Sequence, residues 1–413
     1  MSRKQVISRR DALKLSSVTM GALLAGDLGA GPESVNTDPI AEAARRVGRL
    51  PRRRLGYSQR EIAILLGAGD MDAAVAEAAV RCGINYWHKA NRWMRTRTPQ
   101  SILKNRDAHY CQVTVDRVGG NHYTGHFDEE EHVAYVKSAL EKTGLRYFDD
   151  MQLHYGFHNK RELKTERAFV RAFERLKKAG LVKHICLSQH GYAGNHRVPG
   201  GESAAEVLTA VLEDGIFEHA QFIYSYGADP EMDRFMELAR RKGFGTIAMK
   251  TARGIGRLTG DAAFTAQLPS GTNAYNALVR WLTTATRLDA VVIRTRTLEE
   301  FIQTCSGAGK KLRSKDKRVL EILTAAADRN ACRLCTLCQP FCPKQIPIAE
   351  ILRFERYAVD DQDWRKARGL YAELPLRADA CDNCGACLSH CPQGLQIPQK
   401  LANTHRLLGA RYT

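Results

Sequence analysis

Between residues 53 and 308, short apolar runs alternate with longer stretches in which apolar residues recur every three or four positions. The short runs have the length of buried strands, and the longer stretches have the period of amphipathic helices. The predicted strands are 62–66, 84–87, 110–115, 146–153, 184–188, 217–224, 245–250 and 290–293. The predicted helices are 71–82, 130–143, 162–179, 230–242, 276–285 and 298–305. Parallel strands that alternate with crossover helices predict an α/β fold, a (β/α)8 TIM barrel.

Two cysteine runs follow this region. Each has the spacing Cys-x2-Cys-x2-Cys-x3-Cys-Pro, in which three cysteines on a tight loop can reach three corners of a cubane cluster. The first run consists of Cys332, Cys335, Cys338 and Cys342, and the second of Cys381, Cys384, Cys387 and Cys391. This is the spacing of bacterial ferredoxins, and it predicts two [4Fe–4S] clusters as cofactors.

The fourth cysteine of each run predicts an exchange of ligands, because in two-cluster ferredoxins it binds the cluster of the other run. We therefore expect one cluster on Cys332, Cys335, Cys338 and Cys391, and the other on Cys342, Cys381, Cys384 and Cys387. The alternative of two structural zinc sites requires neither the third cysteine at this step nor the proline. Disulfides are a further alternative, but a chain of this length can fold without them.

The segments around the cysteines have helical character at 348–359, 364–371 and 399–408. They predict a mostly helical, ferredoxin-like C-terminal domain with two clusters. The residues after Cys342 and after Cys391 are similar, which indicates two copies of one cluster-binding unit. We predict a barrel at 51–310 and the two-cluster domain at 311–413, preceded by a polar linker at 31–50.

Residues 1–30 have the character of an export signal. Arg9 and Arg10 precede a mildly apolar stretch that runs to Ala30, a pattern that resembles the twin-arginine signal. Iron–sulfur clusters are assembled in the cytoplasm, and a cluster-loaded protein that leaves the cell must cross the membrane folded. We therefore expect a periplasmic or otherwise extracytoplasmic protein. The sequence does not decide whether the signal is cleaved.

The chain is basic, with a net charge of +17 over 413 residues. This charge favours acidic partners, and we expect an electron-transfer protein of acidic character. The basic residues are dispersed and form no recognisable nucleic-acid-binding motif, so nucleic acid is not an expected partner. After the N-terminal stretch, no apolar run reaches the length of about 18 residues that a transmembrane helix needs.

Several motifs of the barrel region resemble the aldo-keto reductases. They are Arg53-Arg54-Leu55-Gly56, Gly83-Ile84-Asn85-Tyr86-Trp87, Tyr147-Phe148-Asp149, Leu187-Ser188-Gln189, Ile247-Ala248-Met249-Lys250 and Thr297-Leu298-Glu299-Glu300. The similarity covers about residues 51–308, and a subgroup of that family carries the same kind of C-terminal ferredoxin-type domain. The resemblance implies a TIM barrel with its site at the C-terminal mouth, and an oxidoreductase activity.

The resemblance also implies a catalytic tetrad of Asp, Tyr, Lys and His, of which only His154 matches. His88, Trp93 and Val115 stand where the Asp, the Tyr and the Lys belong. In the family the Tyr donates a proton to a carbonyl oxygen, which Trp93 cannot do. We expect His88, Lys89 and His154 to point into the mouth, where a protonated His88 could act as an acid and Lys89 could hold an anion. The alternative is that both histidines are hydrogen-bonded wall residues.

The positions that bind the nicotinamide cofactor in the family are only partly retained. Ser188 and Gln189 match the residues that meet the nicotinamide amide, and Lys250 ends a mouth strand. At the phosphate site the usual Pro-Gly is replaced by Arg294 and Thr295, followed by Arg296. Arginines can pair with phosphate, but the lost glycine removes a close backbone approach. NADP(H), a different ligand and no ligand all remain open.

These observations favour an exported iron–sulfur oxidoreductase that passes electrons through two [4Fe–4S] clusters and binds a small molecule in the barrel. Two alternatives remain. One is a non-catalytic electron-transfer subunit that uses the barrel as a scaffold, and the other is an NADPH-dependent carbonyl reductase, against which the missing Tyr and Lys argue.

Overall fold

The computed structural model describes residues 38–58, 60–119, 125–190, 202–226, 230–252, 255–285, 287–328, 332, 334, 337–359 and 363–409. The predicted export signal and the predicted cluster ligand Cys335 lie outside these residues. Residues 39–413 form one compact unit that contains both the barrel and the cysteine runs. Within the described residues, no helix is both long enough and apolar enough to cross a membrane.

Eight parallel strands close into a barrel, as the alternating pattern predicts. Their order around the barrel is β10-β3-β4-β5-β6-β7-β8-β9. The strands are β3 (Leu65–Ala68), β4 (Tyr86–His88), β5 (Tyr110–Val115), β6 (Phe148–Leu153), β7 (Val182–Gln189), β8 (His219–Ile223), β9 (Gly245–Met249) and β10 (Ala290–Val292). A separate antiparallel pair, β1 (Arg52–Arg54) and β2 (Glu61–Ala63), precedes the barrel strands. The barrel fold and its mostly helical C-terminal extension agree with the predicted fold class.

Helices cover the barrel and build the C-terminal region. Those up to the cysteine runs are α1 (Pro39–Val47), α2 (Ala73–Arg81), α3 (Gln100–Lys104), α4 (Glu129–Thr143), α5 (Lys160–Thr165), α6 (Ala168–Lys178), α7 (Ala204–Asp214), α8 (Pro230–Lys242), α9 (Ile255–Thr259), α10 (Ala262–Thr265), α11 (Ala274–Thr284), α12 (Leu298–Cys305) and α13 (Ser314–Asp328). The helices of the tail are α14 (Ile348–Val359), α15 (Trp364–Ala372) and α16 (Ile397–Leu408).

Two helices at the ends of the barrel region pack into its core. Helix α1 occupies the second half of the segment predicted as a linker, and it buries Ala43 and Val47 against α2 and α12. Helix α13, which the predicted boundary places in the tail domain, packs on α11 and contributes Val319 and Leu320 to the same core. Both helices are amphipathic, so their apolar faces require a neighbour.

The tail is built from two copies of one unit, offset by the 49 residues that separate Cys332 from Cys381. The residues before the second cysteine position, Leu334 and Asn383, both have positive φ, as do Gln345 and Gly394. The helices α14 and α16 occupy equivalent places and pack against each other. The equivalent rings of Phe341 and His390 stack. The repeated sequence therefore folds into repeated structure.

Candidate functional site at the barrel mouth

The carboxyl ends of five barrel strands bring five polar side chains to one end of the barrel. They are Lys89 after β4, Asp116 after β5, His154 after β6, His190 after β7 and Lys250 after β9. The C-terminal mouth is the face at which TIM barrels place their active sites. Of these residues, Lys89, His154 and Lys250 are predicted from the sequence.

The backbone at the mouth is strained. Among the described residues, six that are not glycine have positive φ, and four of these line one cavity: Lys89, Tyr155, Lys250 and Leu334. Each such conformation costs on the order of 1–3 kcal/mol and persists only where the surroundings impose it. Gly69 shows the constraint at Lys89, because a Cβ on Gly69 would lie 2.2 Å from the Lys89 carbonyl oxygen.

Lys89, His154 and Asp116 form a hydrogen-bonded line. Burial and the nearby Lys89 lower the pKa of His154 to about 4, so its ring is neutral at neutral pH. Its Nδ1–H donates to the Asp116 carboxylate, and its Nε2 accepts from Lys89 Nζ at 2.9 Å. Burial and the charge of Arg92 lower the pKa of Lys89 to about 7. The line can therefore gain or lose a proton near neutral pH.

His88 lies beside this line, but it is not the protonated acid that the sequence suggested. Its Nδ1–H donates to Gln112 Oε1 at 2.8 Å, and the residue is buried. Burial, followed by the charge of Lys89, keeps the pKa of His88 well below its usual value. The neutral ring lines the cavity and can accept a hydrogen bond there.

Tyr357 enters the barrel mouth from the tail. It belongs to α14, is almost fully buried, and its hydroxyl accepts a hydrogen bond from Lys250 Nζ at 2.8 Å. The hydroxyls of Tyr357 and Tyr155 lie 3.3 Å apart. Burial keeps the pKa of Tyr357 well above its usual value, so the hydroxyl retains its proton at neutral pH. Lys366 Nζ lies 4.0 Å from the centre of the Tyr357 ring.

Arg353, one turn before Tyr357 on α14, joins the tail to the barrel. It is 1% exposed, binds Glu350 at 2.8 Å and donates to the backbone carbonyl of His190 at 2.5 Å. A buried ion pair that also makes a hydrogen bond across the contact fixes a specific arrangement, since moving either partner would leave a charge unmatched. The position of α14 in the mouth is thus set by buried contacts.

A cavity of about 520 Å³ opens between the barrel mouth and the tail. This size is within the range of small-molecule sites. The barrel lines it with residues that include His88, Lys89, His154 and Lys250. The tail lines it with Leu334, Arg353, Arg356, Tyr357 and Lys366. Leu334 lies between the first two cysteine positions of the first run, so this cavity reaches a cluster-binding loop.

The residues proposed for a nicotinamide cofactor divide into two groups. Ser188 lines the cavity, but its Oγ already accepts a hydrogen bond from the Tyr155 backbone. Gln189 is fully buried and donates to the Phe157 carbonyl at 3.0 Å. Arg294 and Arg296 do line the cavity, where Arg294 also binds Asp70 at 3.0 Å. The structure therefore brings the two arginines to the cavity and places the Gln189 amide outside its lining.

Trp93 and Val115 stand at two of the positions for which the sequence resemblance to the aldo-keto reductases implies catalytic side chains. Trp93 is 3% exposed and packs on Trp87, with their ring centres 5.8 Å apart. Val115 is 1% exposed and ends β5. Neither residue lines the cavity.

The first cysteine run lies near Cys391, the fourth cysteine of the second run. Cys332, Cys338 and Cys391 line one small cavity, together with the apolar residues Ile348 and Leu352 of α14. The backbone N–H of Leu334 donates to Cys332 Sγ at 3.3 Å, a contact of the kind that tunes iron–sulfur clusters. Three thiols around an apolar hollow have the donor chemistry that a [4Fe–4S] cluster needs.

The second cysteine run lies near Cys342, the fourth cysteine of the first run. Burial raises the pKa of the Cys387 thiol, and the neighbouring Cys342, Cys381 and Cys384 raise it further. The eleven described cysteines, which include all eight predicted ligands except Cys335, are free thiols. Cys342 thus lies near the second run and Cys391 near the first, and the exchange of ligands between two clusters stays a prediction.

Sequence reasoning missed several residues of the site. Asp116 directly follows the predicted strand 110–115, so its place at the mouth could have been read from the strand end. His190 lies two residues after the end of the predicted strand 184–188, so its place at the mouth could be inferred from that strand end. Nothing in the sequence signals that Arg353 and Tyr357 enter the barrel, because the pattern of α14 only indicates that the helix has buried faces.

Comparison with known proteins bears mainly on the tail. Residues 325–396 match the model of the 4Fe-4S dicluster domain family. No curated protein sequence matches the chain. A solved aldo-keto reductase from Bacillus halodurans, in its apo form, is 14% identical over 67% of this chain and 96% of its own, with a TM-score of 0.46. Its holo form gives a TM-score of 0.47 at the same identity and coverage.

A Pseudomonas aeruginosa structure assigned to the aldo-keto reductases is 16% identical over 64% of this chain and 98% of its own, with a TM-score of 0.48. The strand topology of the chain itself establishes the closed eight-stranded parallel barrel. The chain is thus a TIM barrel whose C-terminal, mostly helical region carries a 4Fe–4S dicluster domain.

Proposed function

We propose that the protein is an iron–sulfur oxidoreductase in which a small organic molecule binds in the mouth cavity and exchanges electrons with two [4Fe–4S] clusters. The clusters supply one electron each, which is the chemistry this cofactor performs. The eight cysteines Cys332, Cys335, Cys338, Cys342, Cys381, Cys384, Cys387 and Cys391 would hold them, with the fourth ligands exchanged.

The observation that carries this proposal is the position of α14. Its residues Ile348, Ala349 and Leu352 line the small cavity of the first cysteine group. Its residues Arg353, Arg356 and Tyr357 line the large cavity of the barrel mouth. An α-helix is about 10 Å across. One helix therefore separates the cluster site from the substrate site, a short path for an electron.

The strain at the mouth favours an enzyme over a docking scaffold. Lys89, Tyr155 and Lys250 hold left-handed backbone conformations where they line the cavity. A docking scaffold gains nothing from strained backbone conformations, whereas active sites commonly contain them.

The proton that accompanies electron transfer would come from Tyr357, because Trp93 stands where the family has its tyrosine. The Tyr357 hydroxyl is protonated at neutral pH and lines the cavity. As a general acid it would give its proton to a substrate oxygen, and the Lys250 amino group at 2.8 Å would stabilise the resulting tyrosinate. The missing family residues argue against ordinary NADPH-dependent carbonyl reduction. The second candidate ligand is NADP(H), because Arg294 and Arg296 line the cavity and can pair with its phosphates.

The experiment compares Cys391→Ala with the wild-type protein. Both are reduced anaerobically and mixed with small organic acceptors, and reoxidation is followed by cluster absorbance. We expect Cys391→Ala to lose about half of its iron, because one of two clusters is lost, and to lose acceptor-dependent reoxidation. Cys82→Ala, at a buried free cysteine outside both groups, is the matched control. Rapid reoxidation of Cys391→Ala despite the iron loss would show that the cluster bound by Cys391 does not pass electrons to the acceptor, which would refute the proposed electron path.

The proposal includes export and an acidic electron-transfer partner. Arg9 and Arg10 before the apolar stretch support twin-arginine export, and the net charge of +17 supports an acidic partner. Replacement of both arginines by lysine should retain the cluster-loaded protein in the cytoplasm in cell fractionation. An unchanged distribution would reject this export route.

A further inference from the structure

The mouth cavity has an unusually basic lining. The barrel contributes five basic side chains: Lys89, Arg92, Lys250, Arg294 and Arg296. The tail contributes three: Arg353, Arg356 and Lys366. Of the described residues that line the cavity, Asp70 and Glu300 are acidic. A wall of this composition repels cations and attracts anions, most strongly where solvent is excluded.

Several of these basic side chains contact acids of the site. Asp70 binds both Arg92 and Arg294, and Glu350 binds Arg353. Asp116 reaches the site through His154. Among the described residues, eight basic side chains therefore line the cavity with two acidic ones, and two further acids contact lining residues.

Two of the basic side chains lie together where the barrel meets the tail. Lys250 and Lys366 both lie over the aromatic ring of Tyr357. Their Nζ atoms are 4.9 Å and 4.0 Å from the centre of that ring. Burial, followed by the charges of neighbouring basic side chains, lowers the pKa values of both Lys89 and Lys250. A bound anion would relieve the repulsion between these charges.

The remainder of the lining is apolar. It includes Met249, Leu278, Val279 and Ile293. Ligand pockets of this kind are mostly apolar, with a few polar groups that fix orientation. The combination of an apolar wall and a group of basic side chains suits an organic molecule with negatively charged groups.

The geometry points to an organic anion, carrying carboxylate or phosphate groups, as the substrate of this site, with its charged groups held between Lys89, Lys250, Arg356 and Lys366. This inference rests on the proposed function, since it names the substrate class for the same cavity. It places the anion at the contact of barrel and tail, next to Tyr357 and the first cluster loop. Arg294 and Arg296 also line the cavity, after β10 of the barrel.

The test measures anion binding by calorimetry on the full-length, cluster-loaded protein at low ionic strength. The probes are citrate for carboxylates, inorganic pyrophosphate for phosphates, and sorbitol as a neutral control. We expect saturable one-to-one binding of at least one anion and none of sorbitol. Lys366→Gln should weaken that binding about tenfold, which corresponds to about 1.4 kcal/mol. Lys317→Gln, an exposed lysine on α13 outside the lining, should leave it unchanged.

Each outcome decides a separate point. Binding of citrate alone or pyrophosphate alone selects the carboxylate or the phosphate class. Equal weakening by Lys366→Gln and Lys317→Gln, or no saturable binding, overturns the inference. Loss of binding in Arg294→Gln with retention in Lys366→Gln overturns the placement at the tail. Because binding is measured without turnover, anion binding that persists while cluster reoxidation fails refutes only the proposed electron transfer.

Discussion

Replacement of Tyr357 by Phe tests whether the tail supplies the proton donor of the barrel site. The change removes one hydroxyl and keeps the ring, so the contacts of Lys250 and Lys366 with the ring face persist. The lost hydrogen bonds are those to Lys250 at 2.8 Å and to Tyr155 at 3.3 Å. A typical hydrogen bond contributes about 0.5–1.5 kcal/mol net, so the free energy of unfolding should fall by about 1–2 kcal/mol.

The effect on turnover should be much larger. Loss of a positioned general acid commonly costs about 10²–10⁴ in rate. The hydroxyl acts in the proton-transfer step, so kcat should fall by about 100-fold or more while KM changes little. The assay is stopped-flow reoxidation of the reduced clusters by an acceptor that the wild-type protein uses. A thermal melt of each variant reports its stability in parallel.

Tyr155→Phe is the matched control. It removes the hydroxyl 3.3 Å from that of Tyr357 but leaves the Tyr357–Lys250 pair intact. We expect a decrease in kcat of less than about tenfold, as for the loss of one hydrogen bond. If Tyr357→Phe retains wild-type kcat, the proton-donor role is wrong. If both variants lose the same activity, the hydroxyl pair has only a positioning role.

Three further predictions follow from the cysteine groups and from Lys89. Iron analysis of anaerobically prepared protein should give about eight irons per chain, from two four-iron sites, and a value of four or fewer would contradict a second cluster. The affinity for the anion should fall as pH rises through about 7, because Lys89, which lies near Arg92 and Asp116, loses its charge there. Lys89→Met should flatten this profile, and an unchanged profile would assign the effect to another group. Because the pKa of Lys89 falls from 10.5 to about 7 on folding, the unfolded chain binds more protons between those values. Lys89 should therefore make stability increase with pH across that window, with its full penalty below pH 7.

The sequence predicts the barrel well because strand length and helical period are local properties. The strand 110–115 and the helices 230–242 and 298–305 have the predicted bounds. One predicted helix is divided in the structure, since 162–179 forms α5 and α6. Asn159 caps α5, and Glu166 at its end has an extended backbone. Neither glycine nor proline lies at that break, so the periodicity of apolar residues predicts one continuous helix.

The mouth residues were predictable to the extent that they depend on strand ends. Lys89 and His154 follow or end short apolar runs, and the barrel topology then places them together. The ionisation of His88 was not predictable, because it depends on burial and on the Gln112 amide across the barrel. The approach of Tyr357 to Lys250, 107 residues apart in the chain, depends on tertiary contacts that no local pattern encodes.

The two copies of the cluster-binding unit separate the residues needed for clusters from those needed for the barrel site. The cysteines, the left-handed turns and the closing helices recur in both copies, so cluster binding is sufficient to explain them. At the positions equivalent to Arg353 and Tyr357, the second copy has Ala402 and Arg406. Arg353 and Tyr357 are therefore not general features of the cluster unit. Their partners are His190, Tyr155 and Lys250 of the barrel, which indicates that α14 is specialised to complete the mouth site.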